Sequence, residues 1–346
     1  MNARLNNIFA AILAVLLISF TFTFFVPYWE SSRDGYAECV SRISFQKIVS
    51  SLQDCVHPHR VLYVLIGGVL NLFFNDSHMS TSLLSFIFFI LILFLLKMDL
   101  SNPVYNKAWL LFSFNVISLI YIFASMTTMI ETCFVYLSLI FFRKSIITKD
   151  SINSVLAGFF AGASIMIREM LLVLTLFYGI YLCYLFIIQK NKALVIKQAI
   201  IIGSIIFLTV SSFLVITGTL DSFITRFIGA YDFMATYSDF GKIYHLFGTL
   251  FMGLNLFWLP LCRKLWVEIK KKPIDVYLGF IIVYLIFFGT FLQSYLIRYL
   301  SVILPITIVW IINKGSVSKL FIQLYVITNI IMLALFYIIF LYVRVF

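Results

Sequence analysis

Charge is what this chain has least of. Only 11% of its 346 residues are Asp, Glu, Lys or Arg, against 63% apolar residues, and the mean hydropathy is +1.07. A water-soluble globule carries about 25% charged residues, so that class is excluded. Cysteines number five, with no Cys-x-x-Cys pair and no His/Cys cluster, so no structural metal is indicated. His57 and His59 stand two apart and would point in different directions on a helix, which makes them a poor metal pair. No cofactor is implied, and a divalent metal is not indicated. The chain also lacks internal repeats, low-complexity tracts and any polar stretch long enough for a separate soluble domain.

What it has instead is one apolar window after another. A bilayer core about 30 Å thick needs roughly 20 apolar residues per helix, so an all-α polytopic membrane protein is expected, with residues 1–346 as a single transmembrane domain. The expected crossings are 8–27, 81–96, 108–124, 129–142, 153–167, 169–188, 198–216, 245–262, 276–293, 299–312 and 320–341. The first reads as an uncleaved helix that also acts as insertion signal, with Tyr28 and Trp29 at the outer interface. Segment 61–75 is expected to lie along the outer surface, its Gly67-Gly68 pair allowing close packing. This arrangement puts sixteen of the 25 basic residues in inside segments and leaves nine outside: Arg33, Arg42, Lys47, Arg60, Arg168, Arg226, Lys242, Arg298 and Arg344. Short loops rich in Lys and Arg stay cytoplasmic. A crossing at 61–75 would invert every later loop and export the basic run at 263–272.

The net charge of +11 needs no nucleic-acid partner, because the inside loops hold it and meet anionic headgroups. Ten of the 14 acids fall outside, concentrated in two long outer segments, 28–80 and 217–244, and at nearby helix ends. Cys39 and Cys55 share the first of these segments. A bridge between them, left open by the sequence, would close a loop for which chain-entropy estimates give about 3 kcal/mol. An ionisable side chain at membrane depth costs several kcal/mol unless it meets a cavity or a partner, which makes Glu131, Arg168, Glu169 and Arg298 candidates by default. Simple solvation at a helix turn remains the plain alternative for Glu169. In the second outer segment Arg226, Tyr231 and Asp232 mix aromatics with charge, as carbohydrate sites do, and an interfacial Tyr belt accounts for them equally well.

Four motifs, in order and on one side, carry a resemblance that covers most of the chain. They are Arg33-Asp34-Gly35-Tyr36-Ala37 after the first helix and His57-Pro58-His59-Arg60-Val61-Leu62-Tyr63 before the surface segment. Glu131 follows at a helix start, with Gly158-x-x-x-Gly162 and Ile167-Arg168-Glu169, and Arg298-Tyr299-Leu300 runs on to Leu304-Pro305. This set resembles the GT-C glycosyltransferases, in particular their protein-mannosyltransferase and aminoarabinose-transferase branch. The chain departs from that pattern where Gly35 replaces a second acid and His59 a second proline, and it lacks the soluble C-terminal domain of many members.

The resemblance implies a GT-C-like bundle of about 11 transmembrane helices with juxtamembrane helices in the first outer loop. It implies an inverting transfer of a sugar from a polyprenyl-phosphate donor to a glycolipid, polysaccharide or protein acceptor, on the extracytoplasmic face of a bacterial plasma membrane. Asp34 would be the general base. Arg60, Arg168, Arg298 and His57 would meet the donor phosphate. Tyr36, Glu131, Glu169, Arg226, Tyr231 and Asp232 would contact sugar or acceptor. Two other functions stay open: an O-antigen-type polysaccharide polymerase, and a lipid or sugar-lipid transporter or flippase. The latter would favour inverted repeats and helices broken at the midplane, and the sequence displays neither.

Overall fold

Apolar backbone has to satisfy its own hydrogen bonds, and a helix does so within one segment. Every regular element among the described residues is a helix. The computed structural model describes residues 14, 30–43, 60–100, 102–123, 127–168, 171–221, 223–225, 254–291, 296–315 and 317–345, with backbone alone at 30–35, 102–103, 258, 288–291, 296–299 and 336–345. In order these give α1 (Glu30–Ser41), α2 (Val61–Phe74), α3 (Ser77–Asp99), α4 (Asn102–Ser113), α5 (Val116–Tyr121), α6 (Thr128–Thr148), α7 (Ser151–Ile167), α8 (Leu172–Ile188), α9 (Lys192–Thr217), α10 (Trp258–Glu268), α11 (Val276–Phe291), α12 (Leu296–Asn313) and α13 (Lys319–Val345). By length and composition α3 and α9, at 23 and 26 residues with mean hydropathy 2.6, are able to cross a membrane. The apolar helices α2, α7, α8 and α11 have 17 residues or fewer, so helix length alone does not carry a count of eleven crossings. The crossing expected at 8–27 and most of the one at 245–262 lie outside the described residues.

Segment 61–75 forms α2, whose 14 residues reach about 21 Å, less than the ~30 Å core. It packs against α1, α3 and α7. A Cβ on Gly67 would come within 2.8 Å of Val40, and one on Gly68 within 2.6 Å of Ile43, so the bare glycines set how closely α2 approaches α1. Asn75 closes α2 in the left-handed conformation, and Asp76 caps α3 by accepting from the Met79 N–H at 2.9 Å.

One expectation is corrected. Residues 108–124 are not a single helix: the chain leaves α4 at Phe114 and restarts α5 after Asn115, whose backbone is extended. The break lies about 12 Å along the axis from Lys107. Asn115 caps the new start by accepting from the Ile117 N–H at 2.8 Å and donates to the Tyr325 hydroxyl at 2.5 Å. The freed Val116 N–H donates to Asn329 Oδ1 at 2.9 Å, and Asn329 donates back to the Tyr325 carbonyl at 2.8 Å. Irregular backbone deep in an apolar bundle survives only with such internal partners. The break also removes one ground on which a transporter was set aside.

Contacts sort the helix ends into two groups. Lys107 donates to the Val317 carbonyl, Lys264 to that of Lys314, and Gln198 to that of Ser145; Arg143 pairs with Asp99, and Glu268 with Lys271 and Lys314. Asp99 also accepts from Tyr136 at 3.0 Å and from Tyr277 at 2.5 Å. The two lysines hold the Glu268 carboxyl below its ordinary value. Apart from Tyr136, which lies within the expected crossing 129–142, these residues belong to or border segments that the charge count puts inside. The other end gathers Tyr36, Arg60, Glu131, Arg168 and Ser301.

Replacing Asn329 with Leu leaves the Val116 N–H without an acceptor at the break. A loss of about 1–3 kcal/mol is expected, read as a lower melting temperature of the purified protein, while Asn329→Asp, which keeps the acceptor, loses less. Equal melting of the Leu variant and wild type would contradict this account of the break.

Candidate functional site

The site is built on the α6–α7 hairpin. Its turn is made by Lys149 in the left-handed conformation and Asp150, which accepts from the Ile152 N–H at 3.0 Å and so caps α7. Glu131 stands 18 residues before Lys149, and Arg168 stands 18 residues after Asp150. Two antiparallel helices of equal reach therefore bring them level. Glu131 is in the first turn of α6, where the helix dipole favours an anion, and Arg168 caps the C-terminus of α7, where it favours a cation. The pair is wholly buried, with Glu131 0% and Arg168 2% exposed, and Arg168 Nη1 donates to both carboxylate oxygens at 3.2 Å. Thr127 donates to Glu131 as well. Next to Glu131 on α6, Thr132 donates to the Ser301 hydroxyl of α12 at 3.1 Å, which brings the start of α12 to the same end.

α1 and the start of α2 supply the other wall. Tyr36 and Tyr63 meet edge to face with centroids 5.0 Å apart, and the Arg60 guanidinium lies over the Tyr36 ring at 5.3 Å. All three are buried. Tyr63 lies in the fields of both Arg60 and Glu131, and burial holds its phenol protonated well above the ordinary range. Among the described residues its hydroxyl has no hydrogen-bond partner, and neither has that of Thr128, in the first turn of α6. Buried donors without acceptors are rare, and two at one helical end fit a ligand rich in oxygen. Cys39, buried one turn past Tyr36, is disulfide-bonded, whereas Cys133, Cys183 and Cys262 carry free thiols; Cys55 lies outside the described residues.

Of the residues that the sequence marks, four come together here: Tyr36, Arg60, Glu131 and Arg168. They arrive from three separate stretches of chain. Glu131 and Arg168 are each other's partners, so the Arg168 charge is already engaged by a carboxylate. Asp34 lies on α1 two residues before Tyr36, and Arg298 on the first turn of α12, three residues before Ser301; both are described as backbone only. His57, Glu169, Arg226, Tyr231 and Asp232 lie outside the described residues. Tyr63 is an addition. The signal for it was its place at the end of the 57–63 motif, which gave no role to the phenol. Among the described residues no group of three His, Cys, Asp or Glu is arranged to hold a metal ion.

No protein-family model, curated protein or solved structure matches the chain.

A buried carboxylate that loses its guanidinium, or the reverse, is left as an uncompensated charge. Glu131→Ala and Arg168→Ala are each expected to cost about 3–5 kcal/mol, and Glu131→Met combined with Arg168→Met markedly less than their sum, measured as thermal stability in detergent. Strict additivity of the two single changes would show that the ions act independently.

Proposed function

We propose that the chain is a polytopic membrane glycosyltransferase of the GT-C type, transferring a sugar from a polyprenyl-phosphate donor to a glycolipid, polysaccharide or protein acceptor at the end that carries Glu131 and Arg168. The observation that carries the reading is the convergence of Tyr36, Arg60, Glu131 and Arg168, contributed by three of the motifs that the resemblance rests on.

The chemistry is assigned as follows. Asp34 takes the proton from the acceptor hydroxyl or amine as that atom attacks the anomeric carbon; the bond to the donor phosphate breaks with inversion, and the lipid phosphate leaves. One well-placed base suffices, with no covalent enzyme intermediate. Charge growing on the leaving phosphate calls for fixed donors in a site poor in water. Arg60, with Arg298 and His57, supplies cations, and the Tyr63 phenol supplies a neutral O–H. Glu131 holds Arg168 at the floor, so that its cation is fixed in place without a compensating mobile ion. Glu169, next to Arg168, and Arg226, Tyr231 and Asp232 on the second outer segment are assigned to sugar or acceptor contact.

The helix break at Asn115 gives a transporter one observation in its favour, since carriers build sites at such breaks. Its exposed groups, however, are taken up by Asn329 and Tyr325. That is the arrangement of a structural joint.

The test is sugar transfer by the reconstituted protein from a panel of polyprenyl-phosphate sugars to a crude glycolipid acceptor. Wild type is expected to turn over, Asp34→Asn to lose about 10²–10⁴-fold in rate while remaining folded, and Tyr63→Phe to lose less, since it removes one neutral donor. Undiminished turnover by Asp34→Asn would remove it as base. Extension of polyprenyl-pyrophosphate oligosaccharides with every monophosphate donor inert would select the polymerase.

A further inference from the structure

A cavity of about 510 Å³ lies between α8 and α9, away from the site above. Its walls are almost wholly apolar and include Tyr178, Leu182, Phe186, Val195 and Ile206. Two glycines make the room. A Cβ on Gly179 or on Gly203 would meet nothing within 4 Å, so neither is required for helix packing, and both leave an open slot. From Thr175 to Ile187, the residues of α8 that border it, the slot runs about 18 Å along the axis, close to half of a ~30 Å hydrocarbon core.

The charge at one end is specific. The turn joining α8 to α9 carries Lys190, Lys192 opens α9, and Lys197 follows directly after Ile196 of the slot wall; all three are exposed. Lys192 Nζ lies 5.0 Å from the ring centroid of Phe186, a lining residue, so this ammonium sits at the mouth. The segment 172–217 that bears the three holds no acid of its own.

We propose that this slot binds one acyl chain of an anionic phospholipid from the inner leaflet, whose phosphate is met by Lys190, Lys192 and Lys197. The inference rests on the reading of the chain as membrane-spanning. An apolar channel one leaflet deep with cations at its mouth matches a lipid tail and an anionic headgroup together. It does not match the sugar donor, whose phosphate belongs with Arg60 at the opposite end of the bundle.

Native mass spectrometry of the purified protein, delipidated and then exposed to phosphatidylglycerol or phosphatidylcholine of the same acyl chains, reads this without any sugar transfer, so it fails or succeeds independently of the enzymatic reading. Wild type is expected to retain one phosphatidylglycerol with about fivefold preference over phosphatidylcholine. The combined variant Lys190→Ala, Lys192→Ala, Lys197→Ala loses the preference. Gly203→Leu or Gly179→Leu, whose added Cβ meets nothing within 4 Å and whose branch enters the slot, lose the bound lipid although the lysines remain. Preference unchanged in the lysine variant, or retention unchanged in both glycine variants, overturns the proposal. So does displacement of phosphatidylglycerol by an equimolar polyprenyl phosphate from wild type, which would assign the slot to the donor.

Discussion

The buried pair between Glu131 and Arg168 is the interaction around which the rest of the bundle is organised. Two ions with almost no exposure to solvent are tolerable only if each is held by the other and by oriented dipoles. The hairpin provides both conditions. Equal arms on either side of Lys149 and Asp150 bring the two residues level, and each ion stands at the helix end whose partial charge opposes its own. Once the pair is fixed, α6 and α7 are locked in register, and what packs on them inherits that register. α9 closes on α7 where a Cβ on Gly162 would come within 2.8 Å of Thr209. α12 is tied to α6 by the bond from Thr132 to Ser301.

The opposite end is held by a different device. There the acids are few, and each is shared by several donors: Asp99 by Arg143, Tyr136 and Tyr277, and Glu268 by Lys271 and Lys314. Apart from the local Lys271 pair, these contacts join elements distant in sequence where basic residues are plentiful. The two ends thus differ in kind. One clamps helices with excess cation, while the other assembles buried aromatic, cationic and hydroxyl groups around one fixed ion pair, two of whose neighbouring hydroxyls have no partner among the described residues. On the proposed reading this asymmetry separates anchoring from chemistry.

Much of this was legible residue by residue, and less of it pair by pair. Apolar windows located most helices, since length and hydropathy are local properties. Glu131 and Arg168 stood out as ions in apolar surroundings, yet nothing local says that they meet; that follows only from the position of the turn between them. Asn115 gave no warning of the helix break. One amide in an apolar window is unremarkable, and the residues that satisfy the break, Tyr325 for Asn115 and Asn329 for the Val116 N–H, lie more than 200 residues away. Tyr63 stands in the 57–63 motif, yet no local pattern marks its phenol, because the burial of that hydroxyl depends on α1, α2 and α6 packing together. Cys39 is bridged, a matter the sequence had left open.

The central claim is that the end carrying Glu131, Arg168, Arg60 and Tyr36 faces away from the cytoplasm. α3 is long and apolar enough to cross, and it runs from that end toward Asp99, so its two termini report the orientation directly. The decisive measurement is the activity of alkaline phosphatase fused after Ser80 and, separately, after Lys97. The account predicts an active enzyme at Ser80 and an inactive one at Lys97; the reverse pattern would turn the bundle over, place the site in the cytoplasm and contradict the account.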